Sequence, residues 1–311
     1  MSQYRAPWWL PGGHLQTIVA AFSPAPRVAF RRETWETPDG DFIEVDRADA
    51  ATDGRLVVLF HGLEGSSQSH YARAIAHETL ARGWSFALPH FRGCSGKPNR
   101  LPRAYHSGDT EEAYWILRRF AERSGPLAAA GVSLGGNVLL KWLGERGAAA
   151  SRLVHRAAAV SAPLDLAACG NALDGGFNRR TYTRAFLATL KAKALAKHTL
   201  GRLQFDARRL SAARTLREFD DMITAPLHDF RDADDYWSRA SSAPWLAKIE
   251  VPTLVLNARN DPFLPADALE RAARKAAPGV VLEFPRTGGH AGFPGRDRWL
   301  ARRVLDFLSA Q

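Results

Sequence analysis

The chain has 311 residues, 46% of them hydrophobic and 24% charged, with 42 Lys and Arg against 32 Asp and Glu for a net charge of +10. This composition is globular and large enough for a substantial core. It excludes a low-complexity chain, and no apolar run approaches the ~20 residues of a membrane span. The two cysteines, Cys94 and Cys169, match no metal or redox spacing and imply no disulfide framework. The basic residues are scattered and no aromatic–basic module accompanies them, so they read as solvated surface and no nucleic-acid partner is expected. No basic-then-apolar leader opens the chain, because Pro7 and Pro11 interrupt the one candidate, and a cytoplasmic protein is the expectation.

In chain order, the segment Trp8 to Thr17 is aromatic and proline-rich, then apolar. Its two tryptophans are expected to tie the terminus to the core, with a place at the edge of a ligand pocket as the alternative. Val28 to Glu36 and Phe42 to Asp46 are strand-like and flank the turn signal Pro38-Asp39-Gly40. Arg55 to Phe60 is a continuous apolar run of the kind a buried strand shows. Ser69 to Arg82 has helical spacing and stops at Gly83, and Trp84 to Leu88 is apolar again. Asp109 opens a helix as its cap, with Glu112 as reciprocal partner, and Ala113, Ile116, Leu117 and Phe120 form its buried face. Leu127 to Val132 is a strand, Asn137 to Leu143 is helical, and Ala157 to Val160 is a strand.

Regular alternation then stops. Pro163 to Glu250 is mainly helical, and alternation resumes as strand 253–256, helix 266–277, strand 280–284 and helix 298–308. Strands alternating with helices predict an α/β fold with a mostly parallel sheet covered on both faces. The organisation expected is one domain: a core from residues 1–162 and 251–311, interrupted by a helical cap insertion over 163–250. Such a cap lies over the carboxyl edge of the sheet, where ligands bind. Within it, Ala185 to Leu195 offers an apolar face interleaved with Lys191, Lys193 and Lys197. The expected reading is an amphipathic helix with a solvated basic face; cover for an acyl pocket and contact with a membrane surface are the alternatives.

Gly131-Val132-Ser133-Leu134-Gly135 sits between a strand and a helix. There the pentapeptide predicts a nucleophile elbow, with the Ser133 hydroxyl pushed out of a strained turn. A serine needs a base and the base an orienting acid. Asp261 follows the strand 253–256 and His290 follows the strand 280–284, in the order Ser, acid, His and on the same sheet edge. Oxyanion donors are expected from the amide of Leu134, at the helix start, and of Leu63, in the loop His61-Gly62-Leu63-Glu64-Gly65. Glu64 is expected to be solvated or ion-paired. His14, His61, His106 and His155 lack a partnered acid and read as structural hydrogen-bonders. No His-Glu-x-x-His run, phosphate loop or dinucleotide fingerprint occurs, so neither metal nor cofactor is expected.

These residues resemble the α/β-hydrolase superfamily and, more narrowly, its YheT-like branch, which includes yeast fatty-acid ethyl ester synthase/esterases. The resemblance runs nearly end to end through Gly13-His14-Leu15-Gln16-Thr17, His61 to Ser66, Phe91 to Gly96, Tyr105 to Thr110, Gly131 to Asn137, Asn257 to Phe263 and Gly288 to Phe293. It implies a Ser133–Asp261–His290 triad and carboxylic-ester chemistry on acyl chains. The expected partner is a small-molecule ester or lipid. Acyl transfer to an alcohol, a lipase- or phospholipase-like activity and a non-catalytic scaffold are the alternatives.

Overall fold

The computed structural model describes residues 4–50, 55–124, 127–295 and 297–310. Its strands are β1 (Arg31–Glu36), β2 (Phe42–Ala48), β3 (Leu56–Phe60), β4 (Ser85–Pro89), β5 (Leu127–Val132), β6 (Val154–Val160), β7 (Thr253–Leu256) and β8 (Val280–Glu283). They form one sheet in the order β1-β2-β4-β3-β5-β6-β7-β8. The β1–β2 and β2–β4 pairs are antiparallel, and the five pairs from β4 to β8 are parallel. The central strands β3 and β5 are buried at every position, as continuous apolar runs between two helical layers must be. Edge strand β1 instead exposes Arg31, Arg32, Thr34 and Glu36, and Glu33 in part, and its charges discourage pairing with another sheet.

The principal helices are α1 (Gly13–Phe22), α2 (His70–Ala81), α3 (Thr110–Ser124), α4 (Leu134–Arg146), α5 (Leu166–Leu173), α6 (Arg184–Thr199), α7 (Ala233–Ala240), α8 (Ala266–Ala273) and α9 (Trp299–Ser309). One face of the sheet packs on α3, α4 and α8 through residues such as Ile116, Phe120, Leu139 and Leu269. The other packs on α2 and α9 through Ile75, Val304 and Leu308, with Tyr4 joining them. Among the described residues, 163–252 add no strand. Their helices share an apolar cluster of their own, including Leu187, Leu210, Phe219, Ile223 and Trp237.

Five expectations need correction. The segment around His14, expected only as proline-rich and then apolar, is regular from Gly13 onward, where helix α1 begins. Trp8 and Trp9 do not anchor the terminus, being 92% and 57% exposed; Tyr4 and Leu10 are buried in their place. Asp109 and Glu112 do not cap α3 reciprocally, because Arg103 Nη2 donates to Asp109 Oδ1 at 2.6 Å and Arg92 Nε donates to Glu112 Oε2 at 2.5 Å. A charged donor wins over a backbone amide at that distance. The basic side chains of α6 are not left in solvent either, as described below. Helix α8 ends at Ala273, four residues before the expected stop.

Leu139, fully buried in α4 within the core on that helix's face of the sheet, tests the core. Leu139→Ala should cost about 2–5 kcal/mol, read as a lowered urea midpoint with an unchanged slope.

Candidate active site

The parallel strands end at one edge, and the loops leaving them carry the chemistry. Ser133 follows β5 directly and sits at φ 52, ψ −121, a conformation that L-residues avoid. Two glycines make that turn sterically possible. A Cβ on Gly131 would lie 2.4 Å from the Gly135 carbonyl oxygen, and one on Gly135 would lie 2.3 Å from that of Phe60. Ser133 is thereby aimed off the sheet, with α4 starting at the next residue.

His290 Nε2 lies 2.9 Å from Ser133 Oγ, and His290 Nδ1 lies 2.8 Å from Asp261 Oδ2. The Asp261 carboxylate is fully buried, and its Oδ1 accepts from the Phe263 amide at 2.9 Å. An acid so fixed holds the imidazole with Nδ1–H toward the carboxylate and leaves Nε2 free to take the serine proton. The three residues singled out in the sequence therefore converge in hydrogen-bonding distance.

The loop after β3 lies alongside. A Cβ on Gly62 would come within 3.2 Å of Ser133 Cβ. In this loop the Gly62 amide donates to Tyr71 Oη at 2.9 Å, the Glu64 amide to Tyr105 Oη at 2.9 Å and the Gly65 amide to the Gly62 carbonyl at 2.9 Å. The Leu63 amide has no such partner among the described residues, and neither does that of Leu134 at the head of α4. Both residues line the same cavity as Ser133. Glu64 is ion-paired, not solvated: Lys193 Nζ donates to its Oε1 at 2.8 Å and Tyr105 Oη at 2.8 Å.

Sequence reasoning missed the residues that position the histidine. Gln16 Oε1 accepts from the Gly288 amide at 2.8 Å and from Asn260 Nδ2 at 2.9 Å, while Gln16 Nε2 donates to the Leu10 carbonyl at 2.8 Å. Thr17 Oγ1 accepts from the His290 amide at 2.8 Å. The Ala291 amide donates at 2.9 Å to the Oγ of Ser161, a second serine at positive φ, which follows β6. Helix α1 thus clasps the acid loop and the base loop together. The available signal was polar Gln16 and Thr17 inside an otherwise apolar helical repeat, Leu15 to Phe22. The Phe263 ring, 4.1 Å from that of His290, covers the imidazole.

The site opens into a cavity of about 490 Å³ beneath α6. Leu166, Leu190, Phe219, Ile223 and Trp237 line its apolar reach, and Lys97, Asn99 and Lys193 stand at a polar end. Lys193 and Lys197 of α6 face the core, where Lys197 Nζ donates to the Pro102 and Arg103 carbonyls at 3.0 and 2.8 Å. Burial lowers this ammonium to about 8. The other histidines singled out in the sequence lie outside this relay. His61 accepts from the Phe91 amide at 3.0 Å, and burial drops it to about 3. His106 accepts from the Gly108 amide at 3.1 Å, and burial drops it likewise to about 3. His14 lies 3.3 Å from Tyr182 Oη, and His155 lies in β6. Burial also pushes the Cys94 thiol up to about 11 and the Cys169 thiol well above its usual range, so neither is a ready nucleophile. Among the described residues no cluster of three His, Cys, Asp or Glu is placed to hold a metal.

A family model described as alpha/beta hydrolase fold matches residues 55–296. The chain belongs to the alpha/beta hydrolase family. It is 41% identical over 317 residues to the Escherichia coli (strain K12) protein named "Putative esterase YheT", spanning 95% of this chain and 90% of that one. It is 29% identical to human "Phospholipase ABHD3", spanning 97% of this chain and 77% of the relative. Among solved structures, the alpha/beta hydrolase GrgF from Penicillium sp. sh18 matches with a TM-score of 0.61 at 16% identity, over 90% of this chain and 98% of that one. A likeness at that identity speaks for the fold alone. The resemblance to the YheT-like branch thus holds along the whole α/β-hydrolase core.

Two outcomes test this arrangement. Gln16→Leu strands the Gly288 amide and the Asn260 side chain, at about 1–3 kcal/mol each, and should speed hydrogen exchange at Gly288 and Gly289 well beyond the global change. Burial also pushes the cavity-side Asp220 carboxyl up to about 7. Its folded pKa exceeds the unfolded one, so stability falls as pH rises from about 4 to 7. Asp220→Asn should remove that slope, so that the variant gains on wild type across this window and levels off above it in unfolding titrations.

Proposed function

We propose that this chain is a serine carboxylesterase acting on short- to medium-chain acyl esters. The observation that supports this reading most is the unbroken relay from Ser133 Oγ to His290 to buried Asp261, at 2.9 and 2.8 Å, opening onto an apolar cavity. Ser133 Oγ attacks the ester carbonyl while His290 Nε2 takes its proton, forming the C–O bond of a tetrahedral intermediate. The amides of Leu63 and Leu134 hold the new oxyanion. The imidazolium, stabilised by Asp261, returns the proton to the departing alcohol. Water then attacks the acyl-serine with His290 as base, releasing the acid and restoring the hydroxyl. The apolar reach beneath α6 takes the acyl chain, which is buried against Leu166, Phe219 and Trp237 at about 0.8 kcal/mol per methylene. The names of two relatives, an esterase and a phospholipase, are consistent with ester chemistry of this kind.

The test is turnover of p-nitrophenyl esters of increasing acyl length. Wild type should hydrolyse them with kcat/KM rising over the first several methylenes, then falling once the cavity is full. Ser133→Ala should leave background only, in turnover and in fluorophosphonate labelling. Asp261→Asn should lower kcat by about 10⁴ through the wrong imidazole tautomer. A wild type inactive across the series, or a fully active Ser133→Ala, overturns the reading. Ester formed in place of acid when an alcohol is added would assign acyl transfer instead.

A further inference from the structure

Residues 1–32 and residues 175–205 contain no Asp or Glu. Together these stretches bring exposed Arg5, Arg27, Arg179, Arg180 and Arg184 to the surface. They meet in space: His14 of α1 packs edge-on against Phe177 at 4.6 Å and stacks with Tyr182 at 5.9 Å. The same two stretches carry most of the large apolar side chains left in solvent among the described residues: Trp8 at 92%, Phe22 at 86%, Trp9 at 57%, Phe177 at 52% and Leu15 at 45% exposure, with Leu200 beyond the end of α6 at 59%. Leu15 and Phe22 share a face of α1, seven residues apart. Trp8 and Trp9 stand at the tip of a turn closed by the Leu10 amide on the Pro7 carbonyl at 3.0 Å, and Gln16 ties that turn to α1. A tryptophan nine-tenths exposed is unusual, and clustered apolar exposure marks a binding surface.

We infer that this face docks on an anionic lipid bilayer. Tryptophan and phenylalanine seat at the headgroup level, and arginines around them meet lipid phosphates. The charge argues against a second copy as the occupant, because two such faces would press cations on cations. The patch also borders the site. Tyr182 contacts Phe263 at 4.6 Å, and Phe263 covers His290 at 4.1 Å. A lipid ester rising from the bilayer therefore reaches Ser133 along an aromatic path; this delivery, unlike the docking itself, rests on the esterase reading.

The experiment is co-sedimentation of Ser133→Ala with phosphatidylcholine vesicles, with and without phosphatidylglycerol, at low and physiological ionic strength. Binding should be at least about tenfold tighter with the anionic lipid and should weaken with salt, with a blue shift of tryptophan emission. Trp8→Ser combined with Trp9→Ser and Phe22→Ser should lose about tenfold in binding while keeping the far-ultraviolet dichroism of the parent. In the background that retains Ser133, the same triple variant should hydrolyse a soluble short-chain ester as wild type does. Failure of Ser133→Ala to bind anionic vesicles at low salt overturns the proposal, as does undiminished binding by the triple variant. A concentration-dependent dimer abolished by the three substitutions would assign the face to a second copy and overturn it too. Vesicle binding by a wild type without ester turnover would uphold the docking surface and remove the esterase reading alone.

Discussion

The turn at Ser133 is the constraint from which the rest of the site follows. Holding a serine at positive φ costs about 1–3 kcal/mol, and a lone loop would relax. Here β5 is pinned between β3 and β6 by parallel ladders on both sides, and α4 is buried over nearly its whole length. The strained residue cannot move without disturbing both. With the hydroxyl fixed, every other group is placed by the strand that precedes it: the Leu63 amide by β3, Ser161 by β6, Asp261 by β7 and His290 by β8. A parallel sheet delivers all these loops to one edge, so residues far apart in sequence need no mutual recognition to meet.

The legible part of this design is the part written locally. Apolar runs such as Leu127 to Val132 state their burial directly, and the elbow's glycines state the close approach of α4. Asp261 and His290 are legible because each follows a strand in an order that few other folds share. Gln16 and Thr17 are legible only as polar interruptions of an apolar repeat, because the partners they hold, Asn260, Gly288 and His290, lie more than two hundred residues downstream. Helix α1 escaped notice because Pro11-Gly12-Gly13 reads as loop, although its repeat from Leu15 to Phe22 is helical. The capping pattern at Asp109 and Glu112 failed for a related reason. Arg92 and Arg103 lie in the long loop that leads into α3, and a capping pattern read over four residues does not show how that loop folds its cations back onto the helix start.

The cations of α6 illustrate how burial changes the meaning of a sequence pattern. Lysines interleaved with alanine and leucine ordinarily describe a helix lying on a surface with its ammonium groups in water. Here Lys193 reaches Glu64 and Lys197 reaches two backbone carbonyls, so the apolar face and part of the basic face both turn inward. Desolvation of Lys197 is offset by its hydrogen bonds to the Pro102 and Arg103 carbonyls. Lys193 also links the helix above the cavity to the residue next to Leu63. Glu64 itself sits at φ 55, so the loop that offers the Leu63 amide is held by its own strained backbone, by Tyr105 and by the cap at once.

The clasp formed by α1 has a consequence for how the chain is made. Gln16 leaves the ribosome early, yet the Gly288 amide it accepts from lies 272 positions later. Until β7 and β8 have been synthesised and added to the sheet, the first helix has no acid loop or base loop to hold, and Gln16 Oε1 has none of the donors it accepts from in the folded chain. Contacts of such sequence separation form slowly. Nascent chains therefore carry the elbow long before the imidazole and the carboxylate can be brought to it, and the three groups stay apart until the two ends of the chain are joined.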